Sequence, residues 1–322
     1  MAVPVSNVHY LRFFLHAETD GILMAKKRKA VRSSGVPNIK EIRQILDLLA
    51  KHGVQKIRLV GDDPADRGDL LELVDLFSSQ EGIFEVGLTT GGYGLTGKIE
   101  ALAENGLKSI NFNVDTLRRN RFKKLTGQTV KQFDQLWAAV DESVATGLKT
   151  KLNVVLRRGQ NHDEIPEYVN MTKKRRVHVR FIEWNSHSNT IAPPSNFISS
   201  RETMAAIKPP MMPQRPSLLD GPALVYDIPK HAGTIGFIPN ITEHFCSSCN
   251  RIGITDQGEI TSCIFGHGLD LVKHLRSPKG AESVSSFIER VLRRKSSLSA
   301  KLSGFSSPSK PADTPAQVPV LT

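Results

Sequence analysis

The sequence predicts an α/β fold: a partial or full (β/α) barrel followed by a C-terminal extension that contains the cysteines. A unit of amphipathic helix, glycine and β-rich run recurs along the first part of the chain, which is typical of right-handed βαβ crossovers and a parallel sheet. Five or six such units over about 175 residues favour a barrel over a short open sheet. Beyond residue 185, Pro- and Ser-rich segments interrupt this rhythm.

Each repeated unit is predicted from apolar spacing and from the glycine that ends its helix. In residues 38–60, "NIKEIRQILDLLAKHGVQKIRLV", apolar positions recur at helical spacing, Gly53 ends the helix and a β-rich run follows. The same order recurs twice, with helices that end at Gly106 and Gly147. Further strands are predicted at residues 84–90 and 177–184.

Loops rich in Gly, Asp and Arg follow four of the predicted strands, at residues 61–67, 91–94, 115–128 and 156–165. Ordinary turn chemistry explains any one of them. Four at the same end of a barrel favour a site for a polar ligand. If the strands are central and parallel, Val154, Val155 and Phe181 should be buried, and these loops should open at one rim.

The chain is expected to divide into three parts. Residues 1–185 form the barrel, residues 186–298 the cysteine-containing extension, and the Pro-, Ser- and Ala-rich residues 299–322 a disordered tail. Within the extension, residues 251–265 predict a hairpin that turns at Asp256, Gln257 and Gly258.

All three cysteines, Cys246, Cys249 and Cys263, lie in one short stretch, "FCSSCNRIGITDQGEITSC". An odd number of cysteines, without a signal peptide, argues against a disulfide framework. A Cys-x2-Cys pair followed by a third cysteine, which the hairpin brings back, suits an iron–sulfur cluster or zinc. His244 and His267 flank the trio, and a fourth ligand from either one favours zinc.

Charge predicts an anionic ligand. The net charge is +11 and the pI is near 9.6, which suits a phosphorylated small molecule or nucleic acid. Nucleic acid is the less favoured of the two, because the short basic runs lack interleaved aromatics and are typical of solvated faces. No apolar segment reaches the ~18 residues of a membrane span, so a reducing, cytoplasmic setting is expected.

Several motifs together resemble the molybdenum-cofactor biosynthesis protein A family, the GTP 3′,8-cyclases of the radical S-adenosylmethionine superfamily. They are "YLR" (10–12), "KIRL" (56–59), "TTGGY" (89–93), "VDTLRRNRFKKLTG" (114–127), "KLNVVLRRGQNHDEI" (151–165), "VRFIEW" (179–184) and Cys-x2-Cys-x13-Cys. The resemblance implies a partial (β/α)6, TIM-like barrel with two [4Fe–4S] clusters. One, on an N-terminal loop, cleaves S-adenosylmethionine to a radical. The other, here on Cys246, Cys249 and Cys263, leaves one iron free for the GTP base.

The chain departs from the family pattern where the radical is made. The three N-terminal cysteine positions fall on Thr19, Leu23 and Lys26. The Gly-Gly-Glu-Pro stretch that holds the methionine end has become Gly61-Asp62-Asp63-Pro64. The remaining positions implied for S-adenosylmethionine are Asp63, Thr90 and Asn113. Cleavage of S-adenosylmethionine is therefore not expected.

The resemblance implies a largely retained nucleotide site. Its basic residues are Arg12, Lys56, Arg58, Arg180 and Arg251, and arginine suits phosphate because its fork binds two oxygens. The family's next arginine is Gly253 here. Lys56 and Arg58 share one face of a strand, and the alternative that this face meets solvent stays open.

Three functions follow from these patterns. The favoured one is a degenerate paralogue that keeps one C-terminal [4Fe–4S] cluster and binds a purine nucleoside triphosphate, GTP by resemblance. The second is an active GTP 3′,8-cyclase. The third is a barrel with a structural zinc site that acts as a binding or regulatory module. A homodimer and proteins of the molybdenum-cofactor pathway are the candidate protein partners.

Overall fold

A computed structural model describes residues 8–15, 37–61, 63–184, 195–215, 217, 219, 221–243, 249–262 and 268–303. Its strands are β1 (Tyr10–Leu15), β2 (Lys56–Gly61), β3 (Glu85–Thr90), β4 (Leu107–Asn113), β5 (Lys149–Leu156), β6 (Val177–Glu183), β7 (Met212–Pro213), β8 (Leu224–Asp227), β9 (Thr234–Ile238), β10 (Arg251–Thr255), β11 (Glu259–Thr261) and β12 (Leu269–Asp270). They form one sheet in the order β12-β11-β10-β1-β2-β3-β4-β5-β6-β9-β8-β7.

The strands β1 to β6 pair in sequence order and in parallel, which confirms the predicted βα architecture. Two later strands continue the parallel set, β9 beside β6 and β10 beside β1. Because both come from the extension, the sheet crosses the boundary suggested at residue 185, and that division stays a prediction. The predicted hairpin is confirmed: β10 pairs antiparallel with β11 across the turn at Gly258.

The helices are α1 (Ile39–Lys51), α2 (Leu70–Ser78), α3 (Ile99–Glu104), α4 (Arg119–Thr126), α5 (Val130–Ala145), α6 (Ile165–Met171), α7 (Ser200–Ala205), α8 (Leu271–Leu275) and α9 (Gly280–Ser303). Capping boxes start two of the long ones, from Asn38 for α1 and from Thr129 for α5. The glycines predicted to end helices, Gly53, Gly106 and Gly147, all have positive φ.

The main apolar core lies between the sheet and the surrounding helices, and a smaller cluster contains Val155, Ile182 and Ile238. Val154, Val155 and Phe181 are buried, as predicted for central parallel strands. The predicted loops lie at one rim: Gly91 after β3 donates to Asp63 after β2, and Tyr93 packs edge-on against Phe122 of α4. The polar loops therefore form a single mouth of the barrel.

The helix α9 continues to Ser303, so the predicted tail 299–322 begins within a helix, and residues 304–322 lie outside the described part. None of the helices in the described ranges is long and apolar enough to cross a bilayer.

Candidate functional site

Polar and charged side chains occupy alternate positions of several strands and point into the barrel, since successive residues of a strand face opposite sides. They include Tyr10 and Arg12 on β1, Lys56 and Arg58 on β2, Lys151 and Asn153 on β5, Arg180 on β6 and Arg251 on β10. All except Arg12 are less than 9% exposed. We call Arg12, Lys56, Arg58, Lys151, Arg180 and Arg251 the cation cluster.

Lys56 and Arg58 lie inside the barrel, at 2% and 3% exposure, so the alternative that they face solvent is wrong. Lys56 pairs with Glu85 at 2.9 Å and donates to the carbonyl of Leu219. Groups of the protein therefore already accept hydrogen bonds from both residues. The two residues contribute positive charge to the interior and leave few free N–H donors for a ligand.

Arg58 has acceptors for each of its nitrogens. Its Nε donates to the Tyr10 hydroxyl at 2.9 Å, one terminal nitrogen to the Leu88 carbonyl at 3.0 Å and the other to the Ser109 hydroxyl at 2.8 Å. Burial by itself would raise the pKa of the Tyr10 phenol, but Arg58 and other nearby cations lower that pKa to about 8. This lowered pKa reflects a strongly positive interior.

Arg12 and Arg180 differ from Arg58, because each keeps a buried Nε without a hydrogen-bond partner. Neither forms an ion pair with a carboxylate of the described ranges. Burial, and then the neighbouring arginines, lower the pKa of Arg12 to about 10 and that of Arg180 to about 9. Such orphaned donors amid like charges fit an anionic ligand with several oxygen acceptors.

Lys151 was not predicted as a site residue. It is 6% exposed and has no hydrogen bond or ion pair within the described ranges. Burial, and then Arg180, Arg58 and Lys56, lower the pKa of its amine to about 6. A pattern in the sequence could have revealed it, because Lys149, Lys151 and Asn153 alternate with apolar or small residues along β5.

At the mouth, Asp63 is bound to the rim of the barrel. Its carboxylate accepts the Thr90 hydroxyl, the Ala65 N–H at 3.1 Å and the Gly91 N–H at 3.1 Å. Burial raises the pKa of Asp63 to about 6 against these hydrogen bonds, which lower it. The structure thus brings Asp63 and Thr90 together and uses both oxygens of the carboxylate to hold loops.

Asn113 belongs to a polar chain on neighbouring strands. Asn153 donates to the Asn113 side-chain oxygen at 3.0 Å, and Arg180 donates to the side-chain oxygen of Asn153. These three residues are paired in register across β4, β5 and β6. Asn113 is therefore joined to a member of the cation cluster.

Cys249 lies where the cation cluster meets α9. Its sulfur accepts a hydrogen bond from Lys295 Nζ at 3.4 Å. Burial would raise the pKa of the Cys249 thiol, but Arg251 and Lys295 lower it to about 7. A thiol beside two cations suits a thiolate ligand, and Cys249 is the one proposed ligand within the described residues.

The other candidate ligands, Cys246, Cys263, His244 and His267, fall outside the described residues. So do Thr19, Leu23 and Lys26, which stand where the family carries its N-terminal cysteines. Convergence of the three cysteines stays a prediction. Lys295 Nζ contacts both Cys249 and the carbonyl of Ser262, the residue before Cys263, which is consistent with that convergence.

Comparison with known proteins decides the family. Residues 24–172 match the Radical SAM superfamily, and residues 177–300 match Molybdenum Cofactor Synthesis C. A GTP 3′,8-cyclase of Pelotomaculum thermopropionicum is 35% identical over 275 residues, which cover 83% of this chain and 83% of that protein. The chain belongs to the GTP 3′,8-cyclase family.

A longer relative in the family is molybdenum cofactor biosynthesis protein moc-5 of Caenorhabditis elegans. It is 34% identical over 280 residues, which cover 86% of this chain. The chain spans 45% of the length of this nematode relative, and 43% of that of the Drosophila melanogaster molybdenum cofactor biosynthesis protein 1.

The fold agrees with this assignment. Streptococcus suis SuiB, in a crystal structure bound to S-adenosylmethionine, superposes with a TM-score of 0.56 at 13% identity. The match covers 87% of this chain and 68% of SuiB. At this identity the similarity supports the barrel alone, and it agrees with the TIM-like architecture predicted for this member of the GTP 3′,8-cyclase family.

Proposed function

We propose that this chain is a nucleotide-binding member of the GTP 3′,8-cyclase family that holds one [4Fe–4S] cluster on Cys246, Cys249 and Cys263. It binds a purine nucleoside triphosphate, GTP by analogy with its relatives, and does not cleave S-adenosylmethionine. A reducing, cytoplasmic location belongs to the proposal, as do pathway proteins and a second copy of the chain as partners.

The observation that carries the nucleotide site is the unbalanced charge inside the barrel. Glu85 pairs with Lys56 and Arg58, whereas Arg12 and Arg180 have no such partner within the described ranges. Buried cations without counter-ions are costly, and a triphosphate supplies the charge and the acceptors that they lack. Arg12 and Arg180 would bind its oxygens through the nitrogens that now lack partners.

Two features support the loss of S-adenosylmethionine cleavage. The N-terminal cysteine positions are Thr19, Leu23 and Lys26, none of which supplies a thiolate. In addition, the Asp63 carboxylate, at the position implied to hold the methionine end, is occupied by Thr90, Ala65 and Gly91. These three hydrogen bonds leave an approaching ammonium group one unused lone pair, on the oxygen that also accepts from Gly91.

Anaerobic chemical reconstitution tests the proposal. We expect about four irons and about four sulfides per chain, the content of one [4Fe–4S] cluster, and no 5′-deoxyadenosine from S-adenosylmethionine under strong reductant. Replacing Cys246 and Cys249 together with Ala should abolish the visible absorption. About eight irons per chain, or measurable 5′-deoxyadenosine, would favour an active GTP 3′,8-cyclase instead. Bound zinc without sulfide would instead favour the structural zinc site.

A further inference from the structure

The helix α9 docks against the barrel through one buried stripe. Val284, Ile288 and Val291 lie on this stripe at helical spacing, and each is at most 4% exposed. The next position of the same stripe is Lys295. Ser285 also contacts His52, beyond the end of α1, at 3.1 Å, so the first half of the helix is fixed to the barrel.

Lys295 is 8% exposed, which is unusual for a lysine. Its Nζ donates to the carbonyl of Ser262 at 2.9 Å and to the sulfur of Cys249 at 3.4 Å. Ser262 ends the hairpin and directly precedes Cys263. One ammonium group therefore bridges the two segments that carry the proposed ligands.

The charge of this ammonium group requires an anion. No carboxylate of the described ranges lies within ion-pair distance of Lys295. A carbonyl is neutral, so the sulfur of Cys249 is the partner that can carry the balancing negative charge. A thiolate-bound cluster supplies that charge in a lasting form, because its sulfurs remain anionic while metal is bound.

We propose that Lys295 is a positioning residue for the metal site, which donates an N–H···S hydrogen bond to the Cys249 sulfur. This inference rests on the cluster of the proposed function. The bond holds the Cys249 and Ser262 segments together, and so slows loss of the cluster. Its positive charge and hydrogen bond stabilise the more negative, reduced cluster, and so raise the reduction potential.

The test uses the reconstituted full chain with Lys295→Met and a matched surface control. Arg293→Met removes a cation from the same helix, at a side chain that is 68% exposed and whose ion pair in the described part of the chain is with Glu289 of that helix. Lys295→Gln keeps an N–H donor without the charge and provides a second variant if Lys295→Met folds poorly. Circular dichroism checks the fold of each.

The readouts are the midpoint potential, from spectroelectrochemical titration, and the rate at which the visible absorption fades in excess iron chelator. We expect a more negative midpoint potential for Lys295→Met. We also expect its absorption to fade about 10-fold faster, the lower end of the effect of removing a residue that hydrogen-bonds a metal ligand. Lys295→Gln should fall between, and Arg293→Met should match the wild type.

Two failures are distinguishable. A wild-type chain that takes up no iron and sulfide overturns the proposed function. A wild-type chain with a cluster, whose potential and fading rate are the same in Lys295→Met, overturns the role of Lys295 alone.

Discussion

The ring of Phe14 covers Gly253. A Cβ placed on this glycine would lie 2.7 Å from Cε2 of the ring and 2.9 Å from a methyl group of Thr261. Phe14 on β1 and Gly253 on β10 both lie at positions that face the barrel interior, and the two strands are neighbours in the sheet. The position where relatives are implied to carry a second arginine is thus closed by an aromatic ring, and the ring and the glycine complement each other sterically.

This pairing predicts that an arginine at position 253 works only if the ring is removed. Gly253→Arg alone should lower the melting temperature, because its Cβ overlaps Phe14, and should leave GTP affinity unimproved. Combined with Phe14→Ala, it should strengthen GTP binding by about 1.5–3 kcal/mol, the contribution of one charge-assisted hydrogen bond. Calorimetry of both variants checks this. Equal affinity gains in the single and double variants would contradict the steric argument.

We predict that arginines of the cation cluster contribute to GTP binding and that an arginine on the protein surface does not. Arg180→Ala and Arg251→Ala should each weaken GTP binding by about 1.5–3 kcal/mol, measured by calorimetry. Arg201→Ala, on the exposed surface of α7, removes the same charge away from the barrel and should have little effect. The proposed site is wrong if both interior variants bind as tightly as the wild type.

We predict that the Lys151 amine takes up a proton when GTP binds. Its amine has a pKa of about 6 in the free protein, so it is mostly neutral at pH 7.5, whereas an adjacent phosphate favours the charged form and raises that pKa. The wild type should therefore take up more protons than Lys151→Met when GTP binds. At a pH well below 6 the amine is already charged in the free protein, and this difference should vanish.

Calorimetry in buffers of different ionisation enthalpy measures this uptake. The comparison between wild type and Lys151→Met cancels the proton that the nucleotide itself exchanges. Identical proton counts in the two proteins at pH 7.5 would mean that Lys151 does not meet the ligand.

Gly87 makes room for Arg58. A Cβ at Gly87 would lie 2.6 Å from a terminal nitrogen of Arg58 and 2.6 Å from the Ser109 hydroxyl. Gly87→Ala should therefore lower the free energy of unfolding in urea by about 1–3 kcal/mol, a typical effect of overpacking. Gly68→Ala adds the same methyl group where nothing lies within 4 Å, and should be close to neutral. Similar losses in both variants would point to a general effect of replacing glycine.

The repeated units were predictable because their determinants are local. Helical spacing ends at Gly53, Gly106 and Gly147, and each glycine has the positive φ that such a helix end requires. That Lys56 and Arg58 share one face followed from their parity on one strand. Which of the two strand faces is the interior depended on pairing with β1 and β3, which local sequence does not specify.

The contacts that were missed join distant segments. The run of basic residues at 293–295 was expected to be solvated, but Lys295 is buried against Cys249, while Arg293 remains exposed. Nothing within the run distinguishes the two residues except their helical phase relative to Val284, Ile288 and Val291. That phase becomes informative only when the buried side of α9 is known.

The pairing of β1 with β10 has a consequence for biosynthesis. Tyr10 pairs with Arg251, so one edge of β1 has no hydrogen-bonded neighbour until most of the chain has been translated. At about 5–20 residues per second this interval is on the order of tens of seconds, during which β1 presents an unpaired edge. The nascent barrel therefore needs shielding against edge-to-edge aggregation, and folding is completed only after β10 has left the ribosome.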